Sequence, residues 1–153
     1  MPDQTLPEKW AAAWSAQPPD DAASLAWQHL YTEKAVYTDH AFQIIREGQV
    51  TLRKHFEIWR TAMPDFRLTI ADAFPVETLS DGRTRYSIRT HNTGTFVGDF
   101  SRREPSGKKF YFRGVVDIVA DKDGLIESVE EWYCSNFDAT NGQGEFNFRS
   151  DDG

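Results

Sequence analysis

The sequence predicts an α+β fold, with helices packed on one face of a mainly antiparallel sheet. Two observations predict it. Apolar residues recur at helical spacing up to Pro64, and long stretches rich in β-branched and aromatic residues follow it. Turn signals then cut those stretches into a meander: "SDG" at 80–82, "EPSG" at 104–107 and "DKDG" at 121–124.

The elements follow in order. "TLPEKWAAAWSAQ" offers Thr5 as an N-cap and sets Trp10 and Trp14 one turn apart; this helix ends before Pro18 and Pro19. "DDAASLAWQHLY" restarts a helix with Asp20 as cap and Ala22, Leu25, Ala26, His29 and Leu30 near one face. "EKAVYTDHAFQIIREG" gives two short extended pieces, a hairpin over 35–47 closed by Gly48. "QVTLRKHFEIWRTAM" carries Leu52, Phe56, Trp59 and Met63 at helical spacing. Four long strands follow: "DFRLTIADAFPVE", "RTRYSIRTHNTGTFVGDF", "KKFYFRGVVDIVAD" and "LIESVEEWYCSNF". Strands this long need curvature or bulges, with Gly94, Gly98 and Gly114 as candidates. A single domain is expected over 4–137. The polar, Gly-rich segment 138–153 is expected to be a mobile tail, yet Phe146 and Phe148 at i, i+2 suit a lid that docks and releases.

At 153 residues the chain can enclose one real core. Its aromatic share is high, with five Trp and eleven Phe, and aromatics line pockets for flat organic ligands as well as cores. A formal net charge of −7 argues against a nucleic-acid partner. The one basic cluster, Arg102, Arg103, Lys108 and Lys109, brackets a turn and reads as a solvated hairpin tip rather than a phosphate site. Cys134 is the only cysteine, which rules out an internal disulfide. The opening residues lack the apolar run of a signal peptide, and no stretch reaches the length of a membrane span. A cytoplasmic protein without a membrane partner is the expectation. Phosphate-cradling glycine motifs and nucleophile elbows are absent, and His29, His40, His55 and His91 do not fall at metal-ligand spacing. Neither a metal nor a cofactor is expected.

What remains is carboxylates in odd places. Asp39 ends the apolar run "AVYTD"; either it is buried within a strand, or the strand stops at Thr38 and Asp39 opens a turn. Asp117 lies inside "FRGVVDIVAD", among Val115, Val116, Ile118 and Val119. There it is either tied down by structural hydrogen bonds or held at a raised pKa for proton transfer. Alternation in "LIESVEEWY" puts Glu131 on the face of Val129 and Tyr133, and Glu130 on the other, without saying which face is wet.

These residues sit in a wider pattern. "LYTEKAVYTD", the glycine-to-HF segment at 48–56, "MPDFRLTI" at 63–70, "NTGTFVGDF" at 92–100 and "VVDIVADKDGLIESVEEWY" occur in that order. The chain thereby resembles the NTF2-like superfamily and, within it, the SnoaL-like polyketide cyclases and ketosteroid isomerases. The resemblance runs from about Trp10 to Phe137. It implies a strongly curved sheet wrapped around three helices, an apolar pocket closed at its bottom, a small-molecule substrate and a homodimer. It aligns Asp39 with the isomerases' catalytic base, and Asp117 with their second aspartate, the hydrogen-bond donor that its apolar site keeps protonated. Glu131 and Tyr133 align with pocket-lining positions. Two departures stand out. Trp14 replaces the isomerases' oxyanion-hole tyrosine, and Phe96 replaces the cyclases' histidine. Epoxide hydrolysis is disfavoured because Val115, not an arginine, stands two residues before Asp117, with Arg113 four before it.

The expectation is therefore a cofactor-independent isomerase, cyclase or dehydratase acting on a flat, largely apolar carbonyl compound. Asp39 is the expected base, Asp117 the hydrogen-bond donor and Glu131 a further acid. His40, His91, Trp14, Phe56, Trp59, Phe96, Tyr111, Arg113 and Tyr133 are the expected substrate-binding residues. The rival expectation is a non-catalytic ligand-binding or dimeric interaction module on the same fold. Burial of both aspartates is the feature that separates the two.

Overall fold

The computed structural model describes residues 3–100 and 103–135. Three helices open the chain: α1 (Leu6–Trp14), α2 (Asp21–Gln28) and α3 (Gln49–Ala62). Thr5 starts α1 with a reciprocal capping box, since its hydroxyl accepts from the Glu8 N–H and the Glu8 carboxylate accepts from the Thr5 N–H. Asp20 caps α2 through the Ala23 N–H. Along α3, Leu52, His55, Phe56, Trp59 and Ala62 are buried, a stripe at i, i+3, i+4 spacing that turns one face of the helix onto the sheet.

Seven strands form one sheet: β1 (Tyr31–Asp39), β2 (Ile44–Glu47), β3 (Arg67–Ala73), β4 (Glu77–Thr78), β5 (Thr84–Thr95), β6 (Lys109–Ala120) and β7 (Ile126–Ser135). Their order is β2-β1-β7-β6-β5-β3, with β4 pairing off β5. All pairs are antiparallel except β1 with β7, which run parallel, so the sheet is mixed. The first strand begins at Tyr31, earlier than the expected hairpin over 35–47. The face of α2 that is buried is Ala23, Ser24 and Trp27, not the expected Ala22, Leu25, Ala26, His29 and Leu30. The fold class is the expected α+β arrangement, three helices held against a curved, open sheet.

Glycine supplies left-handed backbone in each expected turn, at Gly82, Gly107 and Gly124. Gly94 and Gly114 do not mark bulges: β5 and β6 pair without a break from Thr84–Ala120 to Thr95–Lys109. Register shifts fall instead between Ile70 and Asp72, between Val119 and Ala120, and between Tyr31 and Val36. Gly114 serves close packing, because a Cβ there would lie 2.9 Å from the Thr90 hydroxyl.

The core lies between the helices and the inner face of the sheet. On β6 that face carries Phe110, Phe112, Gly114, Val116, Ile118 and Ala120, all buried. Trp14 is its hub, with the rings of Trp27, Phe56, Trp59 and Phe66 all within 6.3 Å, centroid to centroid. Arg60 is fully buried and donates to the carbonyls of Trp14, Phe66, Ala16 and Pro64. It thus ties the end of α1 to the start of β3. The expected tail and lid, residues 138–153, lie outside the described residues.

Candidate active site

Strand alternation decides which carboxylates face the core. Tyr37 and Asp39 on β1, and Glu131 and Tyr133 on β7, share the inner face. Parallel pairing sets Asp39 directly opposite Glu131. Asp39 is completely buried. One of its oxygens accepts from the Tyr133 hydroxyl at 2.7 Å and the other from the Phe42 N–H at 2.9 Å. The two alternatives open for Asp39 are thus both realised: it is the last residue of a strand and it also caps the turn that follows.

Glu131 borders a cavity enclosed by Trp14, Tyr37, His55, Trp59, Phe66, Leu68, Asn92 and Phe112. The cavity holds about 10 Å³, room for a single water. Beside it, Phe42 and Phe100 meet edge-on at 5.3 Å and both lean on Trp59. Tyr133 stacks on Phe112 at 4.3 Å, which places its ring between that wall and Asp39.

The electrostatics follow from burial. Loss of solvent raises the Glu131 carboxyl well above the usual glutamate range, and the charge of nearby Asp39 raises it further; the Tyr37 hydroxyl pulls weakly the other way. Burial also raises Asp39, against the Tyr133 hydroxyl and the N–H groups of Phe42 and Ala41, which favour its anion. Asp39 keeps the hydrogen bonds that favour its anion, so of the two carboxyls Glu131 is the one pushed further toward its neutral form. Tyr37 and Tyr133 are pushed up by burial and then by the carboxylates, so both stay protonated. His55 is lowered to about 3 by burial, with Arg46 adding to the effect, and its ring is neutral. Among the described residues, no Lys or Arg side chain lines the cavity.

The other expected residues divide cleanly. Trp14 and Trp59 line the cavity, whereas Phe56 and Phe96 are buried in the core without bordering it. Asp117 is corrected: it is half-buried on the outer face, where it accepts from the Ser87 hydroxyl at 2.6 Å. Its neighbour Val116 takes the inner position opposite Glu131. His40, His91, Tyr111 and Arg113 are corrected for the same reason. His40 stacks on Trp132 and pairs with Glu130, while His91 and Tyr111 meet at 6.0 Å and Arg113 bonds the Tyr111 hydroxyl, all outside. Sequence reading did not select Tyr37, His55 or Asn92. Tyr37 stands two residues before Asp39 and His55 three after Leu52, so strand and helix periods carried the signal for both. Among the described residues, no three His, Cys, Asp or Glu side chains gather as a metal site. No helix among them is long and apolar enough to cross a membrane.

A curved, open sheet wrapped over three helices, with carboxylates on its inner wall, defines an NTF2-like α+β cone. The chain belongs to the SnoaL-like domain family, which matches residues 8–129. Solved structures share the fold at low identity. One is a protein of ketosteroid isomerase-like fold from Catenulispora acidiphila DSM 44928, in complex with trimethylamine. It is 18% identical, with TM-score 0.66 over 85% of this chain and 87% of that one. An NTF2-like protein of unknown function from Exiguobacterium sp. 255-15 is 16% identical, with TM-score 0.68 over 85% and 98%. A proposed SnoaL-like polyketide cyclase from Jannaschia sp. CCS1 is 16% identical, with TM-score 0.62 over 81% and 78%. No curated protein matches the chain.

Proposed function

We propose that the chain is a cofactor-independent acid/base enzyme, an isomerase, cyclase or dehydratase acting on a small, largely apolar carbonyl compound of polyketide type. One observation carries this reading: Glu131, its proton affinity raised by burial and by Asp39, borders an enclosed aromatic cavity. Glu131 takes the role first expected of Asp39 and Asp117 together. As a carboxylate it removes a proton from the carbon next to the carbonyl, and the electron pair passes to the carbonyl oxygen as an enolate. As the acid it returns that proton to another carbon, or to a departing hydroxyl. Asp39 does not border the cavity; it sets the proton affinity of Glu131 through its charge. A substrate larger than water requires the cavity to widen.

The second reading is a non-catalytic ligand-binding or dimeric module. It draws on the full hydrogen bonding of Asp39 and on the smallness of the cavity. Both readings place the protein in the cytoplasm as a homodimer. The outer sheet face, where Val115 and Trp132 are paired and about 40% exposed, supports the dimer.

Deuterium exchange at the α-carbon of cyclohexanone in heavy water, followed by proton NMR, separates the readings. The enzyme reading expects protein-dependent exchange that falls by a factor of about 10² or more in Glu131→Gln. Exchange no faster than in buffer, or unchanged by that substitution, leaves the binding module.

A further inference from the structure

Buried polar atoms in folded proteins nearly always have partners, so those that lack one need an explanation. Such atoms on side chains lining the cavity include the Trp14 indole Nε1 and the Asn92 Oδ1. Asn92 is 1% exposed. Its amide N–H₂ donates to the Thr90 hydroxyl at 2.8 Å and toward the Phe112 carbonyl at 3.5 Å, which fixes the oxygen as the free acceptor. His55 adds a third polar group. It is 3% exposed, packs against the Trp14 and Tyr37 rings, and makes no hydrogen bond to another described residue.

The three groups come from α1, α3 and β5, yet they line one space. An indole N–H can only donate and an amide oxygen can only accept, while neutral His55 does one at each nitrogen. Their complement is a ligand with both an oxygen acceptor and a hydroxyl donor. Charge narrows it further. Asp39 holds its charge beside Glu131, and no Lys or Arg among the described residues lines the space, so an anionic ligand is disfavoured. An ammonium would leave the Trp14 donor unpaired.

Resting on the acid/base reading above, we infer that the cavity recognises a neutral hydroxy-carbonyl compound, with its carbonyl oxygen taken by Trp14 N–H and its hydroxyl donating to Asn92 Oδ1. Asn92 is then the specificity-determining residue, because it is the acceptor that a ketone lacking the hydroxyl leaves unpaired. His55 is a positioning residue beside the carbonyl.

The test uses the full chain and four probes on one carbon frame: 2-hydroxycyclohexanone, cyclohexanone, cyclohexanol and cyclohexanecarboxylate. Affinities come from NMR titration, with the Trp indole N–H signals assigned by single Trp→Phe variants. The hydroxyketone should bind about tenfold tighter than cyclohexanone, one extra buried hydrogen bond's worth, and cyclohexanecarboxylate should bind weakest. The Trp14 indole proton should move downfield with both ketones, and that of Trp27, which packs behind Trp14 and does not itself line the cavity, should move far less. Asn92→Leu should erase the preference, so that the two ketones bind within about twofold of each other; a merely structural asparagine would weaken every probe alike and keep the preference. Equal affinity for the two ketones, an unmoved Trp14 proton, a preference for the carboxylate, or no binding of any probe overturns the inference. The outcome is independent of the exchange assay. Exchange without discrimination sinks this inference and spares the acid/base reading; discrimination without exchange does the reverse.

Discussion

Arg60→Met tests how the pocket wall is held. The Arg60 guanidinium donates to four carbonyls, of which those of Trp14 and Phe66 are buried and those of Ala16 and Pro64 are partly buried. Methionine keeps most of the apolar stem and removes every donor. The two partly buried carbonyls can turn to water, whereas the two buried ones are orphaned at about 1–3 kcal/mol each. Relief of the desolvated charge and added apolar burial return about 1–2 kcal/mol. The net loss centres on about 2.5 kcal/mol, a fall in Tm of roughly 5–10 °C for a chain of this size. Urea titration followed by tryptophan fluorescence measures it. Trp14 and Phe66 both line the cavity, so their emission should change in the native baseline as well. Arg60→Lys, with three donors on a point charge, should fall between the two. Met as stable as Arg within about 0.5 kcal/mol, or Lys worse than Met, would refute the reasoning.

Other expectations follow from the same geometry. The raised Glu131 and Asp39 make the folded state the tighter proton binder, so their contribution is complete below about pH 4 and is lost as pH rises through their raised folded values. Glu131→Gln should flatten that alkaline loss, seen by thermal melts from pH 5 to 9; an unchanged slope would show that Glu131 is not the titrating group. His55 acts oppositely: its pKa is lowered from 6.5 to about 3, so its contribution is present above 6.5 and fades as pH falls toward 3. A histidine C2-proton titration should find its ring neutral at pH 5. Gly98→Ala sets a Cβ 3.0 Å from the Ala62 Cα and 3.0 Å from the Thr61 carbonyl oxygen, backbone that cannot swing aside. We expect a loss of about 1–3 kcal/mol and altered Trp59 emission as Phe100 shifts, and a neutral substitution would contradict the close approach. Asp117→Asn, on the outer face, should leave α-proton exchange at the wild-type rate, and a hundredfold loss would return Asp117 to the site.

The elements were legible where a local period or a glycine spoke. Capping at Thr5 and Asp20, the α3 stripe and the turn glycines all act within a few residues, and the structure has them where the sequence points. Asp117 was misread for a physical reason. Within "VVDIVAD" both faces of the strand are apolar, so the run carries no phase; pairing of Val116 with Glu131 fixes it, and that pairing lies outside the segment. Glu131 had a phase but no sign, because alternation sorted it with Val129 and Tyr133 without saying which face was inside. His55 sat on a stripe whose apolar members drew the eye. Its value comes from what it lacks, a partner, which no sequence pattern displays.

The last strand is not at the edge of the sheet. β7 lies between β1 and β6, and supplies the partner on each side. Until residues 126–135 are in place, the β1–β2 hairpin has no sheet to join, and β3, β5 and β6 form a separate piece. The Tyr133–Asp39 bond spans 94 positions and closes that gap. Docking of β7 therefore unites two half-sheets and creates the carboxylate pair in one event. A chain ending at Gly124 should keep helical signal yet show no cooperative melt, and a sharp transition in that fragment would mean the halves associate without it. Destabilising β7 is then a loss of the site before it is a loss of the helices.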